Sequence, residues 1–358
     1  MMRHVRLLSG LLAVSLFLIS LQAFAGTGRR RGTAGASELL IPVGSRGIAL
    51  NGAFTSGFSG LEAIYYNPAG LSASKNSAEA MLSRMNYIAD IGINYGAVSG
   101  RFGSLGHFAV SLKSMDFGDE IVETTVENPD GTGRTFSPTF FTLGLTFSRQ
   151  MTDRIYFGTT AKIISERFLN AGATGLGLDF GLQYATGVKG FKLGLALRNF
   201  GPRMKLDGPE LEYRVQIPGT ETGSRQENLR TQAAAFELPS TFELGASYVV
   251  EVGEKSSLVV MGMFQNNSFS FDSYNVAAEY TLNNLIFLRG SYSLAQREGI
   301  TGKSDSFTSS SEDYLFGPGV GGGLKLNLSS NIVMHLDYAY RTAEFFDDNQ
   351  VFTLSFGF

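Results

Sequence analysis

The chain has no cysteine and no tryptophan, only three histidines, and 17% charged residues. Without cysteine there is no disulfide framework, no thiolate nucleophile and no thiolate metal site. Lys and Arg number 29 against 32 Asp and Glu, a net charge of −3, so no basic surface for nucleic acid is indicated. The charged fraction falls below the roughly 25% of soluble domains, as it would if a broad belt of the surface faced lipid. Long apolar runs are also scarce. Apart from Leu11 to Leu21, no stretch approaches the roughly 20 residues of a transmembrane helix. Any insertion into a membrane must therefore be as a β-barrel.

The one apolar run has its own explanation. Arg3, His4 and Arg6 precede it, and Ala23-Phe24-Ala25 follows as a small-residue cleavage site. A basic start, a short apolar core and such a site describe a secretory signal peptide over residues 1–25, with Gly26 as the mature start. The expected destination is the bacterial outer membrane.

The last eight residues set the pattern for the rest. Phe352, Leu354, Phe356 and Phe358 fall on one face of a strand, and Val351, Thr353, Ser355 and Gly357 on the other. An apolar strand left at a free end invites aggregation. A closed barrel uses it, because the last strand pairs back with the first, and Phe356 and Phe358 are the expected barrel-assembly residues. The same period of two recurs in about fourteen segments, among them Phe141 to Ser148, Leu176 to Tyr184, Phe191 to Arg198, Phe242 to Tyr248 and Ile332 to Arg341. Segments of about ten residues suit a tilted strand crossing a bilayer. Tyr87, Tyr184, Tyr248, Tyr280, Tyr292 and Tyr340 sit near segment ends, as aromatic girdles would.

Connections support the same reading. Tight turns are expected near Gly103-Ser104-Leu105, Met151-Thr152-Asp153, Thr186-Gly187-Val188, Gly253-Glu254-Lys255, Asn283-Asn284 and Ser329-Ser330-Asn331. Long loops at 118–137, 201–236 and 297–313, with shorter ones near Asn170, Asn267 and Asp347, fall between them. Turns and loops therefore alternate sides, and the strand number is even. The fold class expected is an all-β, up-and-down antiparallel transmembrane barrel of about 14 strands over residues 78–358. Its inward face carries mixed charges: Asp179, Lys192, Arg198, Glu243, Glu279, Arg289, Lys325, His335 and Asp337. So wide a lumen is not filled by wall side chains alone.

Residues 26–77 do not read as strands. Arg29-Arg30-Arg31 suggests a solvated leader, whereas residues 39–71 are compact, apolar and glycine-rich. Asn67 before Pro68 suits a tight turn, or the N-cap and first residue of a short helix. This segment either covers the mouth of the barrel or plugs its lumen. The run Gly317-Pro318-Gly319-Val320-Gly321-Gly322-Gly323 is either a strand bulge or a place where glycine makes room for the plug.

Gly44-Ser45-Arg46-Gly47, Asn51-Gly52-Ala53-Phe54 and Tyr66-Asn67-Pro68-Ala69-Gly70-Leu71 resemble the PorV/PorQ family of outer-membrane barrels, relatives of the FadL-type fatty-acid transporters. The resemblance is specific over residues 39–71. It departs where Tyr66 stands for the family's Trp and where Ala49-Leu50-Asn51-Gly52-Ala53 stands for a Gly-Met-Gly-Gly-Ala run. It implies fourteen strands and a luminal hatch whose motif residues are Gly44, Arg46, Gly47, Asn51, Gly52, Asn67, Pro68, Ala69 and Gly70. It also implies a role in type IX protein secretion, with a translocon and secreted cargo proteins as partners recognised by the long loops. The alternative is FadL-like transport of long-chain fatty acids or other hydrophobic compounds, for which Val259, Met261, Met263 and Phe287 leave room for an apolar pocket. An outer-membrane enzyme would need a positioned nucleophile and base. His107 has no evident acidic partner, and His335 beside Asp337 suits an ordinary luminal contact. No catalytic residue, metal or cofactor is expected.

Overall fold

The protein is described here by a computed structural model covering residues 32–118, 121–215, 227–298, 304–308 and 315–358. The signal peptide and the Arg29–Arg31 leader lie outside the described residues. Among them, fourteen antiparallel strands close into one barrel: β1 (Ala78–Asn86), β2 (Gly92–Arg101), β3 (His107–Asp116), β4 (Thr139–Thr152), β5 (Ile155–Phe168), β6 (Ala171–Ala185) and β7 (Phe191–Phe200), then β8 (Thr241–Glu251), β9 (Ser257–Asn267), β10 (Ser273–Leu282), β11 (Ile286–Glu298), β12 (Phe316–Asn327), β13 (Val333–Ala343) and β14 (Asn349–Gly357). Each strand pairs with its sequence neighbours. β14 also pairs with β1, aligning Leu354 with Leu82 and Phe356 with Ala80. Closure removes the free edges that the terminal strand would otherwise present.

Two-faced strands behave as a membrane barrel requires. Leu82, Leu145 and Phe352 are 66%, 58% and 60% exposed, while Met81, Thr146 and Thr353 beside them are buried. Large apolar residues point outward and small or polar ones inward, the reverse of a soluble sandwich. Phe358 caps the seam, its N–H donating to the Ala78 carbonyl at 2.9 Å.

The two long loops over 117–138 and 201–240 lie at the end of the barrel away from the entry to β1 and the exit from β14, while short turns occur at both ends, the two-residue turn Leu169-Asn170 among them. The turn expected at Met151-Thr152-Asp153 sits at Asp153-Arg154, because the β4 ladder runs on through a register irregularity to Thr152. Two long loops carry ribbons too short to show a period: Ile121–Val122 with Thr135–Phe136, Met204–Lys205 with Ala235–Phe236, and Glu212–Val215 with Glu227–Arg230. Ser304–Thr308 pairs alongside β11.

The glycine run of β12 serves both of its expected purposes. The register shifts between Phe316 and Gly319, around Pro318. A Cβ at Gly319 would come within 2.9 Å of the Ile48 carbonyl oxygen, and one at Gly321 within 2.6 Å of the Ala49 Cβ.

Those neighbours belong to the N-terminal segment, which lies inside the barrel. It folds as a chain of short turns: a 3₁₀ turn (Ser37–Leu40), a five-residue helix α1 (Ser45–Ala49), and 3₁₀ turns at Gly60–Ala63 and Pro68–Ala73. Phe54, Phe58, Tyr65 and Tyr66 pack with the luminal residues Met81, Tyr95, Val259, Met261 and Met263 in one apolar cluster. Ile48 and Ala49 form a second with Met85, Ile93, Ala339 and Val351. The wall supplies the core that so short a segment lacks.

Candidate functional site

The candidate site is this seat between plug and wall. The plug's motif residues are its fittings. Gly44, at φ 79°, precedes α1, and Asn51 and Gly52 end it at φ 45° and 70°. That left-handed backbone favours glycine and asparagine. Gly47 lies so close to the Tyr66 ring that a Cβ would overlap it.

Asn67 is completely buried and uses both ends of its amide. Its Oδ1 accepts from the Ala69 N–H at 3.1 Å, capping Pro68–Ala73. Its Nδ2 reaches the carbonyl oxygens of Thr55, Leu182 and Leu195 at 2.9, 3.1 and 3.2 Å. One side chain thus ties two turns of the plug to β6 and β7. Ala69 and Gly70 are buried beside it, and a Cβ on Gly181 would collide with Asn67. His107 also serves the plug, its Nδ1 lying 2.9 Å from the Leu71 carbonyl. His335 packs toward the Phe287 ring.

Arg46 is the electrostatic anchor. Its Nε and Nη2 each lie 2.8 Å from a Glu279 oxygen, and Nη1 lies 3.2 Å from Glu62 of the plug. The guanidinium covers the Phe54 and Phe58 rings, 4.9 and 5.4 Å from their centres. Arg289 continues the chain of charge, bonding Glu279 at 2.6 Å and also Asp337. Arg198 with Glu243 and Lys162 with Asp179 form two further buried pairs. Sequence parity places these charges on the inner face; it does not reveal who pairs with whom. Ser45 reaches β14, its N–H donating to Thr353 Oγ1 at 2.8 Å.

One carboxyl stands apart. Glu38, in the first turn of the plug, is buried and neither oxygen has a hydrogen-bond partner. Burial, then the neighbouring Glu166, pushes it up to about 8. An acid raised on folding favours the protonated folded state. Seating of this turn should therefore be strongest below the ordinary carboxylate value and weaken as pH rises towards 8. Amide exchange at Ser37–Leu40, corrected for intrinsic rates, should quicken between pH 6 and 8.5, and Glu38→Gln should abolish that change. Equal protection in wild type at both pH values would refute it.

Space within this site is scarce. The apolar wall positions Val259, Met261 and Met263 do not line an open pocket, because the plug covers them. A hollow of about 930 Å³ instead lies on the outer wall, lined by Leu82, Leu112, Leu324, Leu336, Phe352 and Leu354 among others. Phe54, Phe58, Tyr65 and Tyr66 of the N-terminal segment occupy this part of the lumen.

No family model matches the chain, and no curated protein matches it. Solved structures do. The CymD monoaromatic hydrocarbon channel aligns with a TM-score of 0.53 at 12% identity, over 89% of this chain and 98% of its own. The P. putida toluene transporter TodX aligns at 0.53 and 15% identity, over 88% and 98%. The chain shares the fold of these barrels. These relatives correct the expected role in type IX secretion, with its translocon and cargo partners: the barrels this chain resembles are described as a hydrocarbon channel and a toluene transporter. The physical reason is plain in the motif. Gly44, Gly47, Asn51, Gly52 and Asn67 shape and seat a plug, work that any stoppered barrel needs, and they carry no information about what passes or docks.

Proposed function

We propose that this protein is an outer-membrane transporter for small hydrophobic compounds, exported by its signal peptide, with the N-terminal segment of residues 26–77 acting as leader and movable gate. The observation that carries this reading is the contact between the plug's aromatic cluster and an apolar luminal surface at Met81, Tyr95, Val259, Met261 and Met263. When the plug shifts, an apolar molecule can take over the surface that Phe54 and Phe58 now cover, with the favourable burial transferred to the cargo. Likeness of fold to hydrocarbon channels supports the same class of cargo. The partners are then membrane lipid and the hydrophobic compound.

The absence of native cysteine allows a direct test. The Ser45 and Thr353 hydroxyls lie 2.8 Å apart, so Ser45→Cys with Thr353→Cys places two thiols within bonding reach across the plug–wall contact. Uptake of radiolabelled toluene and of a labelled long-chain fatty acid is measured in cells lacking the gene and in complemented cells. Wild type should restore uptake, the oxidised double variant should lose it, and reduction should return it. Identical uptake with and without the gene would refute transport; the preferred label identifies the cargo.

A further inference from the structure

Between the plug and strands β2 to β5 lies a small cavity of about 30 Å³, lined by Leu39, Ile64, Tyr65 and Tyr95 on its apolar side. Its polar side is formed by Ser111, Lys113, Thr142, Thr160 and Lys162, and no carboxylate lines it. Lys113 and Lys162 are 6% and 8% exposed. Lys113 Nζ donates to the carbonyls of Glu38 and Ile41 at 2.6 and 3.0 Å. Lys162 Nζ meets Asp179 Oδ2 at 2.6 Å and Asn199 Oδ1 at 2.8 Å. An ammonium group has three donors and no acceptor, so each lysine keeps one N–H unspent. The Thr142 hydroxyl, 7% exposed, has no partner at all. The Thr160 hydroxyl is engaged with Thr146 at 2.8 Å.

We infer that this cavity is a binding site for a small monovalent anion of halide size, held by Lys113, Lys162 and Thr142. Unspent donors converging on a void require an acceptor, because a buried polar group left unpaired is costly. Lys162 is balanced by Asp179, whereas Lys113 meets only carbonyl oxygens, and it is this uncompensated ammonium that favours an acceptor that is charged. The volume suits a small ion: roughly 10–15 Å³ suffices for one water, so the cavity admits one halide or about two waters. Lys113 supplies the structural consequence. It bridges the cavity to both ends of the plug's first turn, so the anion fastens that turn to the wall. This site adjoins the apolar surface proposed for cargo at Tyr95, but its test does not depend on transport.

Crystals of the full protein soaked in sodium bromide would be examined at the bromine absorption edge. Thermal midpoints would be compared in sodium bromide and sodium gluconate at equal ionic strength. An anomalous peak within hydrogen-bond reach of Lys113 Nζ is expected, together with a midpoint that rises to saturation with bromide. Lys113→Met should erase the bromide dependence, and Thr142→Val, a near-isosteric change, should weaken it. If Lys113→Met does not fold, Thr142→Val and the soaked crystal decide. Ordinary water density without anomalous signal, or equal midpoints in the two salts, overturns the inference.

Discussion

Replacing Arg289 by methionine should destabilise the barrel by roughly 3–5 kcal/mol, the range for breaking a buried ion pair from one side. Arg289, Glu279 and Asp337 are all buried, and the guanidinium is the link between the two carboxylates. Methionine keeps much of the side-chain volume but leaves Asp337 without its bond, and leaves Glu279 to Arg46 alone. Neighbouring residues cannot make good the loss. A Cβ on Gly323 would already overlap Asp337, so the carboxylate has little freedom to turn towards water. Urea unfolding in phospholipid vesicles measures the effect. The double variant Arg289→Met, Asp337→Asn should recover part of it by removing the stranded charge. A loss below about 1 kcal/mol, the range of exposed pairs, would mean that water reaches this stretch of the lumen.

Removing residues 36–73 should convert a stoppered barrel into an open pore. Eight strands leave an interior that side chains can fill, and sixteen to eighteen leave an aqueous channel. Fourteen lie near the upper end, and here the filling comes from the plug. The wall facing it is rich in small residues: Gly158, Gly181 and Gly194 each lie so close to plug atoms that an added Cβ would need rearrangement. Without the plug these positions are hollows. Glu243, Arg198, Glu279 and Arg289 then line a wet channel and no longer a dry contact. In planar bilayers the full chain should stay near a closed baseline, while the deletion variant should show stepwise conductance and admit a bulky hydrophilic antibiotic into cells. A silent deletion variant that still folds would assign the barrier to the extracellular loops.

The barrel was legible because each strand has one face for lipid and one for the lumen, and that division writes a period of two directly into Leu143–Gly144–Leu145 or Phe352–Thr353–Leu354. Turn parity added the strand number. The plug has no such signature. Its Asn67–Pro68 cap is a local device and could be read, whereas its seating depends on partners far along the chain, as Arg46 with Glu279 and Asn67 with Leu182 and Leu195 demonstrate. Glu38 and Lys113 carried no motif; burial alone makes them unusual, and burial here is conferred by tertiary contact. The functional reading went astray for the same reason. Gly47 and Asn67 shape the plug and meet only plug and wall, so they do not identify a cargo.

The pairing of Ser45 with Thr353 spans 308 positions, and it fixes an order of events in time. The plug is synthesised before any strand, yet α1 rests on β12, β13 and β14, among the last parts of the chain to emerge. So long a loop closes slowly, since distant contacts cannot repay their ordering cost until both ends are in place. The N-terminal segment therefore cannot take its seat until the last strands are in place, and the final strand shuts the barrel around it. Biogenesis of this protein ends with the first residues of the described chain taking up their positions last.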